Sequence, residues 1–303
     1  MTPDKLLAVH SLDRFDISVP DLEQAARFYT AFGLDVQRKP DGLHLRPFGS
    51  DHAVFRVRQG KRMKLLSLTF GIHEEDYSRF ADHFRRVGVE VIATDGGTDN
   101  RLRVRDPDGT PIELVVAPKT SPSIAGNPRS LPRTMAPSRS KAPLVRPARF
   151  SHVLLFTADV DAAVKFYSQV FGLRLSDRSG DEIAFMHTPH GSDHHLVAFV
   201  KSEGPGLHHS SWDVPSIDDV GLGARQLAAQ GYDKGWGVGR HVLGSNYFYY
   251  AQDPWGGYIE YSFDMDFIPK GSEWTAGDHD GEDAFYVWGP QPPEGFASNT
   301  ELG

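Results

Sequence analysis

The 303-residue chain is 39% hydrophobic and 24% charged, ordinary for a globular protein, and its length suggests about two domains. It contains no cysteine, which excludes disulfides, Cys-ligated zinc, iron–sulfur clusters and thiol catalysis; any metal must be held by His, Asp, Glu or Tyr, and there are 14 His. The net charge of -8 argues against nucleic acid or an anionic membrane as partner, since both reward clustered positive charge.

The N-terminus carries no apolar run of signal-peptide length, and no stretch of about 18 apolar residues exists to span a membrane, so a cytoplasmic location is expected. The first elements lie in "DISVPDLEQAARFYTAFGLDV": a strand, then a helix whose Leu22, Ala25, Ala26, Tyr29 and Phe32 form one apolar stripe after Asp21. "LTFGIHEEDYSRFADHFRRVG" repeats strand then helix, and "DPDGTPIEL" at 106–114 reads as a turn entering a strand. Residues 118–149, rich in Pro, Ser and Arg/Lys and devoid of acid, cannot build a core. They read as a linker or arm packed on an acidic body, and a nucleic-acid contact is the weaker alternative.

The second half starts again with "HVLLFTADVDAAVKFYSQVFGLRL". Here Val160, Ala163, Val164, Tyr167 and Phe171 form the stripe, with Asp159 as N-cap and Gly172 as the C-terminal stop. "HTPHGSDHH" holds His187, His190, His194 and His195 and invites a zinc reading, but its Pro and Gly make it a loop between strands. "SSWDVPSIDDVGLGARQLAAQG" is strand then helix, and "DPWGGYIEY" at 253–261 repeats the Asp-Pro-x-Gly turn and strand. After it, "DHDGED" at 278–283 lacks calcium-loop spacing and reads as a solvated acidic tail. The aromatic "FYVWGP" at 285–290 is expected to pack back on the second domain or to cover its site. The expected divisions are 1–117, a linker at 118–149, a metal-binding domain at 150–268 and a tail at 269–303.

A strand–helix–strands unit thus occurs four times, two per half. The pattern resembles the vicinal oxygen chelate (glyoxalase/bleomycin resistance/dioxygenase) superfamily over roughly 12–116 and 150–263. That resemblance implies an α+β fold of four βαβββ modules. They pair into two domains, each an open curved mixed sheet with its helices outside and a metal on the cupped face.

Strand alternation assigns faces. In "GGYIEYSF", Ile259, Tyr261 and Phe263 belong with the helices, leaving Glu260 in the cup. In "HHSSWDV", Trp212 belongs with the helices and takes His208 with it, so His209 faces the cup and His208 is dispensable for a metal. His152, in the first strand of the same half, completes a 2-His-1-carboxylate set, which leaves positions open for substrate and O₂ as in non-haem Fe(II) oxygenases. Zinc also uses two His and a Glu, but no H-E-x-x-H is present. The first half offers Asp16 near the place of His152 (with a two-residue gap), Ser67 for His209, and Glu113 for Glu260, so it is expected to be metal-free.

A longer stretch sharpens the resemblance. "GRHVLGSNYFYYAQDPWGGYIE", from Gly239 to Glu260, is similar to the signature of type I extradiol ring-cleavage dioxygenases through His241, Tyr250, Asp253, Pro254, Gly256 and Glu260; only Tyr249 departs from it. "DHHLVAF" supplies the family's earlier His as His195. The resemblance implies His152, His209 and Glu260 as ligands of Fe(II), with Mn(II) suiting the same set, and His195, His241 and Tyr250 around a catecholic substrate and O₂. It implies aromatic-ring degradation to a semialdehyde or enol-keto acid, and a homo-oligomer. Two other readings stand beside it. A non-oxidative lyase, isomerase or transferase of the superfamily would keep the ligands without needing His195, His241 and Tyr250 together. A ligand-binding module would need no metal.

Overall fold

The computed structural model describes residues 6–92, 101–125 and 136–302. The first half builds a seven-stranded sheet from β1 (Ser11–Val19), β2 (Asp35–Lys39), β3 (Gly42–Arg46), β4 (Phe55–Gln59), β5 (Lys64–Ile72), β6 (Arg101–Arg105) and β7 (Pro111–Val116), in the order β2-β3-β4-β1-β5-β7-β6. Helices α1 (Leu22–Phe32) and α2 (Tyr77–Val87) belong to it. The second half contributes β8 (Arg149–Thr157), α3 (Val160–Phe171), β9 (Arg174–Ser179), β10 (Ile183–His187), β11 (Ser192–Asp193), β12 (Val197–Lys201), β13 (Gly206–Asp213), α4 (Ile217–Ala228), β14 (Gly235–His241), β15 (Tyr247–Gln252) and β16 (Tyr258–Phe263). The closing segment adds β17 (Phe267–Ile268), β18 (Gly277–Asp278), α5 (Gly281–Ala284) and β19 (Tyr286–Trp288). The second sheet runs β18-β9-β10-β12-β8-β13-β16-β15-β14-β19, and its stretch from β9 to β15 repeats the order of the first. No helix among the described residues is long and apolar enough to cross a membrane.

Local chemistry sets the element ends. Asp21 and Asp159 accept the backbone N–H of Gln24 and Ala162, each at 2.9 Å, and so cap α1 and α3. Gly172 ends α3 at φ 71°, and a Cβ there would stand 2.4 Å from the Leu7 carbonyl, so only glycine closes the turn. In the second Asp-Pro-x-Gly turn, Asp253 takes the N–H groups of Trp255 and Gly257 at 2.8 and 3.0 Å, and Gly256 sits at φ 94°.

The helices pack across the halves. α1 contacts α4, and Phe32 stacks on Tyr261 with ring centroids 4.0 Å apart while the Tyr261 hydroxyl donates to the Phe32 carbonyl at 2.6 Å. α2 contacts α3, and the Tyr167 hydroxyl donates to Asp106 at 3.1 Å. One buried apolar cluster therefore runs through both halves, with Phe15 against Phe150 and Phe55 against Trp212. The arm contributes as well: Val145 is 1% exposed, its N–H donating to the Gln226 side chain at 2.8 Å.

One reading of the sequence changes, and the 285–290 stretch packs on the second half as expected. The "DHDGED" stretch is not a free acidic tail: β18 pairs in parallel with β9, Asp278 accepts the Gly180 N–H at 2.8 Å, and Asp280 caps α5. β19 extends the far edge of the same sheet by pairing with Arg240 and His241. Short local alternation gave no sign of these pairings, because each strand is only two or three residues long.

Candidate metal centre and cavity

His152 lies on β8, His209 on β13 and Glu260 on β16, three adjacent strands of the second sheet. They form the one group of His, Asp and Glu among the described residues whose ligand atoms converge. His152 Nε2 and His209 Nε2 are 3.3 Å apart, and they stand 3.3 and 3.6 Å from Glu260 Oε2. Adjacent donors bound to one ion at about 2.0–2.2 Å lie roughly 3 Å apart, so this triangle fits one face of a metal's coordination shell. Glu260 is fully buried, and its Oε2 has no hydrogen-bond partner. A buried carboxylate oxygen without a hydrogen-bond partner, facing two imidazole nitrogens, suits a cation. The other oxygen is held: Asn246 donates from Nδ2 to Glu260 Oε1 at 3.1 Å and to Ser262 Oγ at 3.0 Å.

His209 faces the cup, but alternation gives the wrong reason. β13 carries a bulge between Leu207 and His209, which inserts His208 as an extra residue. His208 is thereby turned away from Trp212 and lies on the cup side, stacked on Tyr258 and edge-on to Phe296. Its Nε2 is 2.8 Å from the Phe296 carbonyl, which can only accept, so that nitrogen carries the proton. Burial lowers the His208 pKa to about 4, so the ring is neutral. Its Nδ1 is then an acceptor for the His209 Nδ1–H at 2.6 Å, and His209 presents Nε2 as a lone pair to the metal position.

The remaining expected residues also converge. His195 is 4% exposed, with its ring 4.2 Å from that of His152. The His241 Nδ1–H donates to the Phe285 carbonyl at 3.0 Å, so His241 Nε2 accepts the Tyr250 hydroxyl at 2.9 Å. Burial, then the neighbouring imidazoles, hold His209 and His195 well below the ordinary histidine value. Burial also lowers His241. Burial, then Glu260, raises the Tyr250 phenol well above its usual value, so it stays a donor. Two other histidines of "HTPHGSDHH" have partners away from the triad: His187 bonds Ser176 Oγ at 2.7 Å, and His190 bonds the Ala8 carbonyl at 3.2 Å.

These groups open into a cavity of about 280 Å³, walled by Leu154, Ile183, Phe185 and Val200 and roofed by Phe285 and Phe296. Two contributors, Asn246 and Phe296, escaped sequence reading. Asn246 lies inside the signature stretch, four residues before Tyr250, and that position was its only signal. Phe285 comes from the 285–290 stretch expected to pack back or cover the site, whereas Phe296, further along the tail, had no signal.

The matching place in the first half has different chemistry. In register, His152 faces Ser211, which pairs with Glu260; correspondingly Arg14 faces Thr69, which pairs with Glu113. Arg14, not Asp16, therefore holds the place of His152, and no gap is needed. Its guanidinium lies 3.5 Å from Glu113, which also accepts from Arg101 and Arg103 at 3.0 and 2.7 Å.

The family model for the Glyoxalase/Bleomycin resistance protein/Dioxygenase superfamily matches residues 11–114 and 149–261. "Metapyrocatechase 2" of Cupriavidus necator is 46% identical over 302 residues, covering 97% of this chain and 93% of that protein. The "Manganese-dependent 2,3-dihydroxybiphenyl 1,2-dioxygenase" of Geobacillus genomosp. 3 is 24% identical over 91% of this chain and 92% of its own length. Among solved structures, homoprotocatechuate 2,3-dioxygenase from Brevibacterium fuscum superposes with a TM-score of 0.77 at 19% identity, covering 99% of this chain and 95% of that one. With the repeated sheet and the convergent triad, these likenesses place the chain in the Glyoxalase/Bleomycin resistance protein/Dioxygenase superfamily, among its extradiol dioxygenases.

Proposed function

We propose that the second half holds one Fe(II) on His152, His209 and Glu260, and that the chain opens a catecholic ring beside the diol, placing both atoms of O₂ in the product. The partnerless Glu260 Oε2, facing two imidazole nitrogens, carries this reading. The donor set suits Fe(II), and Mn(II) is the alternative its chemistry allows. When bound, the metal mediates electron transfer between the diol and O₂. Proton handling and orientation fall to the chain. His195 takes a diol proton at Nε2 and later returns it to an oxygen of the opening ring. Tyr250 turns its hydroxyl from His241 Nε2 to a diol oxygen, and the Phe285 carbonyl anchors the His241 ring through its Nδ1–H. In the first half Arg14 supplies the positive charge beside Glu113, so one metal per chain is expected.

The cavity lining favours a neutral catechol with a small apolar substituent. It includes no Lys or Arg among the described residues, and Glu182 sits on it. A carboxylated catechol would bring in an unpaired charge, so its kcat/KM should fall on the order of 10²-fold or more below that of a methylated one. Edge strand β19, with Val287 and Trp288 exposed, is where copies of a homo-oligomer would meet.

The test is anaerobic Fe(II) loading, metal analysis, and O₂ uptake on a panel of catechols. A yellow semialdehyde or enol-keto product at one iron per chain is expected. The colourless diacid of intradiol cleavage would overturn the proposal, as would a second tight metal lost on Glu113→Gln.

A further inference from the structure

The second His-His pair of this half, His194 and His195, repeats the hydrogen-bond logic of the first but ends on a carboxylate. His194 Nδ1 is 3.1 Å from His195 Nδ1, and His194 Nε2 is 2.8 Å from Asp177 Oδ2. Both rings and the carboxylate are buried, at 1%, 4% and 8% exposure. We infer that Asp177 and His194 are positioning residues for His195, forming with it a carboxylate–imidazole–imidazole series that leaves the Nε2 lone pair of His195 facing the cavity. The inference rests on the acid/base role proposed above for His195.

Hydrogen-bond direction carries the argument. A carboxylate only accepts, so His194 Nε2 bears the ring's proton. In the neutral ring, Nδ1 is then an acceptor, and the proton between the two histidines belongs to His195 Nδ1. His195 lines the cavity, and its free nitrogen is Nε2. Burial pushes the Asp177 carboxyl up, but the hydrogen bonds from His194 and His279 outweigh it and hold the group below its ordinary value. The other Asp177 oxygen is occupied, accepting the Gly277 N–H at 2.8 Å and His279 Nε2 at 2.9 Å. The series is therefore anchored at its outer end by the segment that follows the family-matched region. Trp274 fixes it further, donating from Nε1 to the Ser176 carbonyl at 2.8 Å with its ring edge-on to His194.

The step it serves is a proton transfer. The diol O–H bond breaks, an N–H bond forms at His195 Nε2, and the imidazolium charge is balanced through His194 by Asp177. The proton later leaves the same nitrogen for a product oxygen, so the imidazole ends neutral.

Asp177→Asn is the deciding variant, because its amide keeps the shape and the oxygen facing Gly277 but offers His194 a donor. That reverses every bond in the series and puts the His195 proton on Nε2. In the Fe(II)-loaded enzyme kcat should fall about 10²–10⁴-fold, with metal content and catechol KM within about twofold of the parent protein. In a His195→Asn background the same substitution should cost less than about twofold, because the residue it positions is gone. Nitrogen NMR of histidine-labelled, metal-free protein should show the His195 proton moving from Nδ1 to Nε2. Should Asp177→Asn not fold, His194→Phe should lower kcat equally and also be silent in the His195→Asn background. An unchanged kcat in Asp177→Asn while His195→Asn is slow overturns the positioning role alone. So does an equal loss from Asp177→Asn with and without His195. A His195→Asn enzyme at full speed overturns the acid/base role and this inference with it.

Discussion

His208 and His209 are neighbours in sequence and in space, yet their nitrogens do different work. His209 Nε2 joins the triad, while His208 lies between it and the Phe296 carbonyl and sets which His209 nitrogen is free. The sequence-based expectation that His208 is dispensable for the metal therefore changes. His208→Phe keeps the aromatic packing against Tyr258 and Phe296 but removes the acceptor for His209 Nδ1–H. Metal affinity should weaken about 10–100-fold, read by titrating metal-free protein with Fe(II) or Mn(II) under anaerobic conditions. The thermal midpoint of the metal-free protein should change little. His209→Ala should abolish tight binding. Arg14 makes the complementary point: where the first half lacks imidazoles, a side-chain cation sits beside the matching carboxylate.

At the scale of elements, the closing segment is part of the site and is fastened near its end. Glu301 is 5% exposed, and its Oε1 accepts the N–H of Leu65 on β5 at 3.0 Å and of Leu207 on β13 at 2.8 Å. One carboxylate thus ties the tail to both sheets, one residue before His208. Upstream, Asn299 donates to the Gly204 and Pro205 carbonyls, and Trp236 donates to the Pro290 carbonyl at 2.7 Å. Glu301→Ala leaves two buried N–H groups without an acceptor and should destabilise the protein by about 1–3 kcal/mol. It should also loosen the roof formed by Phe285 and Phe296, so catechol KM should rise more than kcat falls. Denaturant unfolding and steady-state kinetics on the same preparation check both effects.

At the scale of the molecule, the two halves share a core, and that core encloses histidines beyond the site. His10 is fully buried, its ring 4.6 Å from that of His73, and His187 is 2% exposed. Burial, then nearby histidines, lowers both from 6.5 to about 4. Below pH 6.5 the unfolded chain binds protons that these folded rings refuse. Their contribution to stability is thus present above pH 6.5 and is lost as pH falls towards 4, on the order of 3 kcal/mol each. Buried carboxyls such as Asp106 and Asp253, raised to about 6 by burial, act in the opposite direction. Seven imidazoles with lowered values outnumber them, so net stability should fall on acidification. Urea midpoints of metal-free protein measured from pH 7.5 to 5 test this, and His187→Gln should flatten the slope.

The repeat, the caps and Glu260 were legible in the sequence because each has a local signature: Asp before a helical stripe, Asp-Pro-x-Gly before a strand, and a signature stretch from Gly239 to Glu260. Strand placement and the family resemblance together pointed to His152, His209 and Glu260, whose ligand atoms converge in the fold. Tertiary structure decided what spacing cannot encode. A bulge broke the alternation at His208 and put it on the cup side. Register across β1, β5 and β7, rather than distance along the chain, matched Arg14 with His152. The tail's role was hidden for a related reason. Beside the rings of Phe285 and Phe296, it offers the site two backbone carbonyls, and every residue carries a carbonyl; only folding determines which two meet a histidine.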